Sequence, residues 1–329
     1  KKIEDDYSRY FRAAFKLENT SLNDDRMNLL TSETNMSKEP YIELLPEYSP
    51  AEGISTMDEL VALFSNSFGN EDISRVFFEN FVSQGLMRGL MDKFLPHGHQ
   101  IGMMQKAFSG IGDNGQPLAF KNTVITSGTG SGKTESFLLP LLADIFKEAK
   151  TEKWTKVDNT TDWYLAKDDL YEPCQRDRET RPTGIRALIM YPMNALVEDQ
   201  MARLREALDS DEVRSFMDEQ LNGNRIYFGS YNGATIAPKN YNLIEDAVAK
   251  EAITQNTFDN KKSDVANRLS SMHQNFNNII NYVARNPQKK DALYISPRLG
   301  GDKATSEMVT RWDMQQSKIG RAVQQECRD

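Results

Sequence analysis

The eight residues Ser127 to Thr134, SGTGSGKT, alternate small hydroxyl and glycine positions and end on a lysine and a threonine. Gly128, Gly130 and Gly132 can take backbone angles that a Cβ forbids, so successive N–H groups can turn inward around an anion. Ser127, Thr129 and Ser131 complete the cradle, and Lys133 is placed to reach the β- and γ-phosphates of a nucleoside triphosphate. Thr134 would hold Mg²⁺, and the helix that starts here and carries Glu135 would add the positive end of its dipole. An ordinary glycine-rich turn before a helix is the bland alternative. It leaves the coincidence of turn, lysine and hydroxyl unexplained.

Such a loop needs a strand before it and a helix after it. Thr123 to Thr126 is β-prone, and the apolar spacing of Phe137, Leu138 and Leu139 predicts a helix from Lys133 to about Lys150. Pro140 lies inside that helix, which must kink there or be supported by its neighbours. Upstream, LPHGHQIGMMQKAF (Leu95 to Phe108) resumes helical periodicity after Gln100. A glutamine shortly before such a loop can read adenine, because its amide both donates and accepts.

Downstream, GIRALIMY (Gly184 to Tyr191) is a continuous apolar run between Gly184 and Pro192, as expected of a buried parallel strand. A helix from about Asn194 to Leu208 follows, and Leu196, Val197, Met201, Leu204 and Leu208 are expected to pack on the sheet. RIYFGSY (Arg225 to Tyr231) is a third strand candidate. Three strands with helical crossovers between the first two predict an α/β, doubly wound parallel sheet.

Around this core, Thr56 and Glu59 form a capping box before the face of Leu60, Leu63 and Phe64, and Gly69 ends that helix. Ile73 to Leu90 repeats the helical pattern. Residues 1 to about 50 read as a polar, irregular lead-in. Between about 242 and 285, Val265, Leu269, Met272, Phe276, Ile279 and Val283 fall at steps of four and three, the seam of an inserted helical hairpin. Lys261 and Lys262 read as a solvated outer face first and a strand-guiding surface second. Residues 151 to 183 are charged but interrupted by Trp154, Trp163 and Tyr164. They read as a solvated loop with aromatic anchors, or as an aromatic, basic surface for single-stranded nucleic acid.

Bulk composition decides less. With 329 residues there is room for about two domains. A net charge of −8 argues against coating nucleic acid by bulk attraction, yet leaves room for a local basic groove. No run reaches membrane-span length. Cys174 and Cys327 offer neither metal spacing nor a disulfide framework, which fits a reducing, cytoplasmic setting.

These residues carry a family likeness. SGTGSGKT resembles motif I of the superfamily 2 DEAD/DEAH-box helicases, with Ser127 where alanine is usual. YPMNALVEDQ (Tyr191 to Gln200) is similar to their motif Ia, and with EMVTRWDMQ (Glu307 to Gln315) it resembles the large bacterial helicases of the Lhr-like and DUF1998-associated groups, some of which serve in antiphage defence. HGHQ, ending at Gln100, resembles their adenine-reading motif. The resemblance implies a RecA-like P-loop fold over residues 91 to 317, the first helicase domain and incomplete, after a family-specific region from 1 to 90. It implies ATP and Mg²⁺ as cofactors, and nucleic acid, DNA before RNA, as partner. Carried over residue by residue, Ser127 to Glu135 with Gln100 would bind nucleotide. Pro192, Met193 and Asn194 would meet strand phosphates, and Thr235 follows by a looser likeness of FGSYNGAT.

No DExH or DEAD tetrapeptide follows in this sequence, and no second RecA-like domain. Without those groups phosphoryl transfer lacks its water-positioning carboxylate and its arginine fingers. Residues 1 to 329 alone are therefore expected not to turn ATP over, as the first part of a longer helicase. The tail KIGRAVQQECRD (Lys318 to Asp329) back-translates to a common sequencing-library adapter and is expected to be an artefact of that origin. The competing readings are another P-loop class, such as a nucleotide kinase or transport ATPase, and a module that binds ATP without hydrolysing it.

Overall fold

The computed structural model describes residues 2–15, 17, 19–32, 48–108, 123–128, 130–151, 163–165, 168–175, 184–238, 241–300 and 304–316. The expected turn at Ser109 to Gln116, Trp154 and the tail from Lys318 lie outside them, as does Thr129 of the loop. The chain divides into two units, residues 1–47 and residues 48–329.

The first unit corrects the reading of an irregular lead-in, because it holds α1 (Lys2–Ala14) and α2 (Thr20–Thr31). Aromatic rings at helical spacing explain α1: Tyr7, Phe11 and Phe15 meet in sequence at 5.4 and 4.9 Å. Asn19 caps α2 by accepting from the Leu22 amide, and Arg26 donates to the Phe15 carbonyl at 2.6 Å.

In the second unit, α3 (Met57–Phe68) starts at the Thr56–Glu59 capping box and stops at Gly69, which takes φ 91°. Leu60, Val61, Phe64 and Phe68 are buried, whereas Leu63, read as part of the same face, is exposed. Asn70 caps α4 (Glu71–Arg75), which runs directly into a π-helix over Val76–Leu86. Around that π-helix pack α5 (Gly98–Phe108), α6 (Lys133–Thr151), α7 (Asn194–Asp209) and α8 (Asp211–Gln220) in one apolar core. Phe146 of α6 sits at its centre, with Phe77, Phe81 and Phe216 at 5.2, 5.7 and 6.2 Å. Supported on this side, α6 continues through Pro140.

A second core forms under α10 (Gln255–Arg285), which follows α9 (Tyr241–Ala249) and leads into a 3₁₀ segment, Pro287–Tyr294. Val265, Leu269 and Phe276 of the expected seam are buried. Val265 and Leu269 pack in one cluster with Trp163, Tyr171, Tyr241 and Trp312, the last from α11 (Arg311–Gln316). Trp163 and Tyr164 are buried as the aromatic anchors of their segment, with Tyr171 fully buried beside them, so the alternative of an aromatic surface for a nucleic-acid strand falls for these rings. Lys262 is also buried, paired with Glu172 and lying over the Phe258 ring at 4.7 Å.

The parallel sheet does not form among the described residues. What remains of it is two isolated parallel bridges, Phe228 with Glu307 and Ile236 with Thr310. A buried parallel strand needs ladder partners and cover on both faces. Val124 is 84% exposed, Leu188 75% and Met190 82%, so the runs read as central strands have the sequence of strands without that company. For the same reason α7 packs on the π-helix instead of a sheet: Ala207 and Leu208 are buried there and Leu196 is exposed.

Candidate nucleotide and nucleic-acid site

The glycine-rich turn sits where α6 begins. Gly130 and Gly132 have φ of 74° and 73°, in the left-handed region that a side chain resists. A Cβ on Gly130 would meet nothing within 4 Å, so the loop is open on that side. At Gly132 the reverse holds, because a Cβ there would come within 2.3 Å of Gln100 Nε2. Lys133 Nζ donates to the carbonyls of Ser127 and Gly128 at 2.7 and 2.6 Å, and the hydroxyls of Ser127 and Ser131 lie 2.6 Å apart. The ammonium therefore lies across the loop it belongs to, bound among the described residues by two neutral carbonyls. An anionic oxygen would be a stronger acceptor for it. Thr134 is the second residue of α6. This set of donors fits a triphosphate, with Lys133 and the loop amides on its oxygens and the Thr134 hydroxyl available to Mg²⁺.

Gln100 is buried on α5, next to this turn. Its Oε1 accepts from the His97 amide at 2.9 Å and its Nε2 donates to the Gly132 carbonyl at 3.3 Å. His99 reaches the Ser131 carbonyl at 2.7 Å through Nε2. The rings of Tyr48, His97 and His99 cluster at 5.5 to 6.0 Å, and the Tyr48 hydroxyl accepts from the Gly128 amide. The glutamine amide thus ties α5 to the loop, and these two bonds use one N–H and one lone pair of an amide that offers two of each.

Glu135, in the first turn of α6, pairs with Arg203 of α7 at 3.0 Å. It links the loop helix to the helix that Pro192 and Met193 introduce. Pro192, Met193 and Asn194 are all exposed, and no side chain caps α7 at Met193. Helix α7 therefore starts without a side-chain cap, its Leu196 and Val197 amides donating to the Met193 carbonyl at 3.1 and 3.3 Å. Thr235 has a different position. Its hydroxyl donates to the Ser230 carbonyl at 2.8 Å and accepts from the Asn232 amide at 2.9 Å, so it closes the turn Ser230–Thr235.

The block at Glu307 to Gln315 is tied to α7 by buried charge. Arg205 holds Glu307 through two hydrogen bonds, at 2.7 and 2.9 Å, and also donates to the Tyr294 and Ile295 carbonyls. One turn on, Asp209 accepts from the Ser306 amide at 2.7 Å. Burial pushes the Asp209 carboxyl up to about 7, against the pull of Arg214. Burial also raises Glu307 and Asp313, the latter bonded to Tyr171 and Thr310. Reasoning from sequence missed Arg205 and Asp209. The only available signal was charge on the inward side of a helix whose apolar stripe is narrow.

Among the described residues no group of three or more histidine, cysteine, aspartate or glutamate side chains could hold a metal, and no helix is long and apolar enough to cross a membrane. No solved structure matches the chain at a significant level. Over 298 residues it is 26% identical to Druantia protein DruE of Escherichia coli (strain UMEA 4076-1), which covers 89% of this chain and 13% of that protein. Residues 105–236 match the DEAD/DEAH box helicase family, a stretch that holds the loop, Pro192 to Asn194 and Thr235 and leaves out Gln100. That family has a RecA-like P-loop fold, and residues 105–236 are the part of this chain that is similar to it.

Proposed function

We propose that this chain supplies the ATP-binding part of a helicase-type, nucleic-acid-dependent ATPase, acting on DNA before RNA, in a defence role like that of the helicase group its motifs resemble. The observation that carries the reading is Lys133 lying across a turn whose glycines hold positive φ, inside the stretch that matches the helicase family. ATP would supply the free energy of phosphoryl transfer. Lys133, Ser127 to Gly132 and Glu135 would hold and orient its phosphates, and Thr134 its Mg²⁺. Gln100 would bind the adenine with its remaining donor and acceptor while it keeps the loop in register.

Pro192, Met193 and Asn194 would meet backbone phosphates at the start of α7, where no side chain caps the helix. The Glu135–Arg203 pair supports coupling between the two ends, since it joins the first turn of the nucleotide helix to the helix on the strand. Thr235 would act by holding its turn, its hydroxyl being committed there.

In the intact protein, Lys133→Ala should lower nucleic-acid-stimulated phosphate release on the order of 100-fold and weaken binding of a fluorescent ATP analogue. Survival of both activities would overturn the reading. Turnover that depends on Lys133 but ignores single-stranded DNA and RNA would point to another class of P-loop enzyme. Gln100→Ala should raise the KM for ATP more than it lowers kcat, with a smaller effect on the same assay with GTP.

A further inference from the structure

The ring of Tyr231 is exposed within FGSYNGAT, a stretch from which the family likeness carried over Thr235 and gave this ring no role. Tyr231 is 61% exposed on the turn Ser230–Thr235. Lone exposed aromatics are common and mean nothing by themselves. This one differs in how firmly it is presented. Asn232 Oδ1 accepts from the amides of Ala234 and Thr235 at 2.9 and 3.2 Å, and the Thr235 hydroxyl bonds across the turn.

Two arginines from distant segments converge on the same turn: Arg311 on the Asn232 carbonyl and Arg268 of α10 on the Ala234 carbonyl, at 3.3 Å. The Arg311 guanidinium lies over the Tyr231 ring at 5.1 Å from its centroid, and Gln315 Nε2 donates to the phenol at 3.4 Å. One face of the ring is thus backed by a cation, and the other faces out. A rigid aromatic plane with two arginines beside it suits a ligand that is flat and carries negative charge on its chain. Single-stranded nucleic acid has both properties, and an aromatic face accepts any base.

We propose that Tyr231, backed by Arg311, is a stacking platform for a base of the single strand that the helicase tracks. The proposal rests on the nucleic-acid reading above and adds a contact with a base to contacts with phosphates. The platform also accounts for a local cationic group in a chain whose net charge is −8.

The test compares a fluorescent single-stranded oligonucleotide with one of the same length whose central tract is abasic, each titrated with the intact protein at several salt concentrations. Tyr231→Ala should weaken binding to the normal strand about ten-fold, leave the abasic strand bound as by the wild type, and leave the slope of log K against log salt unchanged. Tyr231→Phe should bind like the wild type. Equal loss on both strands, or no loss on either, overturns the platform, as does a Tyr231→Phe protein as weak as Tyr231→Ala. Wild-type protein that binds neither strand would overturn the nucleic-acid reading instead. Because Tyr231 is exposed, the variants should keep the wild-type near-UV spectrum.

Discussion

Two cores lie in residues 48–329, and charge is placed differently in them. Around the π-helix, rings and aliphatic chains meet one another; the Arg75 cluster with Asp58, Glu71 and Glu79 lies at the rim, and the buried Arg214 and Arg225 sit at the α8 edge. Under α10 and at its border with α7, the buried set includes Arg205, Asp209, Glu307 and Asp313. Helix α7 belongs to both, through Ala207 and Leu208 on one side and Arg205 and Asp209 on the other. The contrast teaches where geometry is specified. Apolar packing is tolerant of small shifts in direction, whereas the bidentate Arg205–Glu307 pair fixes how α7 meets the block that carries Trp312. Buried charge at this border therefore serves orientation, at a cost in desolvation.

The largest expected effects break the two cores and differ in how they can be rescued. Phe146→Ala removes a ring that four others touch and should cost about 3–5 kcal/mol of stability. Adding Phe216→Ala should make it worse, because both changes enlarge one void. Arg205→Met leaves Glu307 buried without its cation and should also cost about 3–5 kcal/mol. Here the second change should rescue: Arg205→Met with Glu307→Leu should recover most of the loss. Denaturant unfolding followed by far-UV circular dichroism reads all four proteins. A double mutant at Arg205 and Glu307 that is no better than the single would remove the contrast.

The sequence reveals the first core far better than the second, and the reason is range. The Thr56–Glu59 box, the Gly69 stop and the phenylalanines of Ile73 to Leu90 are short-range signals. Arg205 and Glu307 lie 102 residues apart, and no local pattern announces their pairing. Trp163 reads from sequence as an anchor without a visible partner, and Tyr171 is hidden among charged residues; their neighbours in space are Thr305 and Trp312, more than a hundred residues on. The loop was legible down to Lys133, since its glycines and lysine must be adjacent in the chain. The sheet was legible as pattern alone, because Ile185 to Tyr191 has the hydrophobicity of a central strand and lacks ladder partners among the described residues. Tyr231 could have been found from its place in a turn rich in glycine and asparagine, but the arginine behind it comes from residue 311.

A middle-sized effect sharpens the comparison through pH. Asp209 has a pKa near 7 in the folded state, above its unfolded value of about 4, so the folded protein holds the extra proton between those values. Stability should accordingly fall as pH rises from about 4 to about 7 and level off above that. Asp209→Asn keeps an acceptor for the Ser306 amide and removes the charge. It should flatten this slope by roughly 2–3 kcal/mol between pH 5 and pH 8, leaving the part due to Glu307 and Asp313, which burial shifts in the same direction. Fluorescence of Trp163 and Trp312 reports on this core. A slope unchanged in Asp209→Asn would mean that the aspartate is not the group that titrates.

The smallest effect lies at the rim of the apolar core and should carry the opposite sign. Glu59 accepts from the Ser55 and Thr56 amides at 2.7 and 3.0 Å, which holds its carboxyl below the usual value of 4.5. A depressed carboxylate stabilises above its unfolded pKa and loses that contribution as pH falls through the folded value. Acid should therefore loosen the start of α3 in the range below about pH 4.5, where the Asp209 core has already gained its proton. Thr56→Ala removes the hydroxyl that accepts from the Glu59 amide and should cost about 1 kcal/mol at pH 7, with no change in slope between pH 5 and pH 8. Glu59→Gln should keep the helix but lose the acid sensitivity of its first turn, measured by amide hydrogen exchange at Leu60 and Val61. If Thr56→Ala instead altered the slope between pH 5 and pH 8, the two cores would be electrostatically linked through α7, and the separation drawn between them would fail.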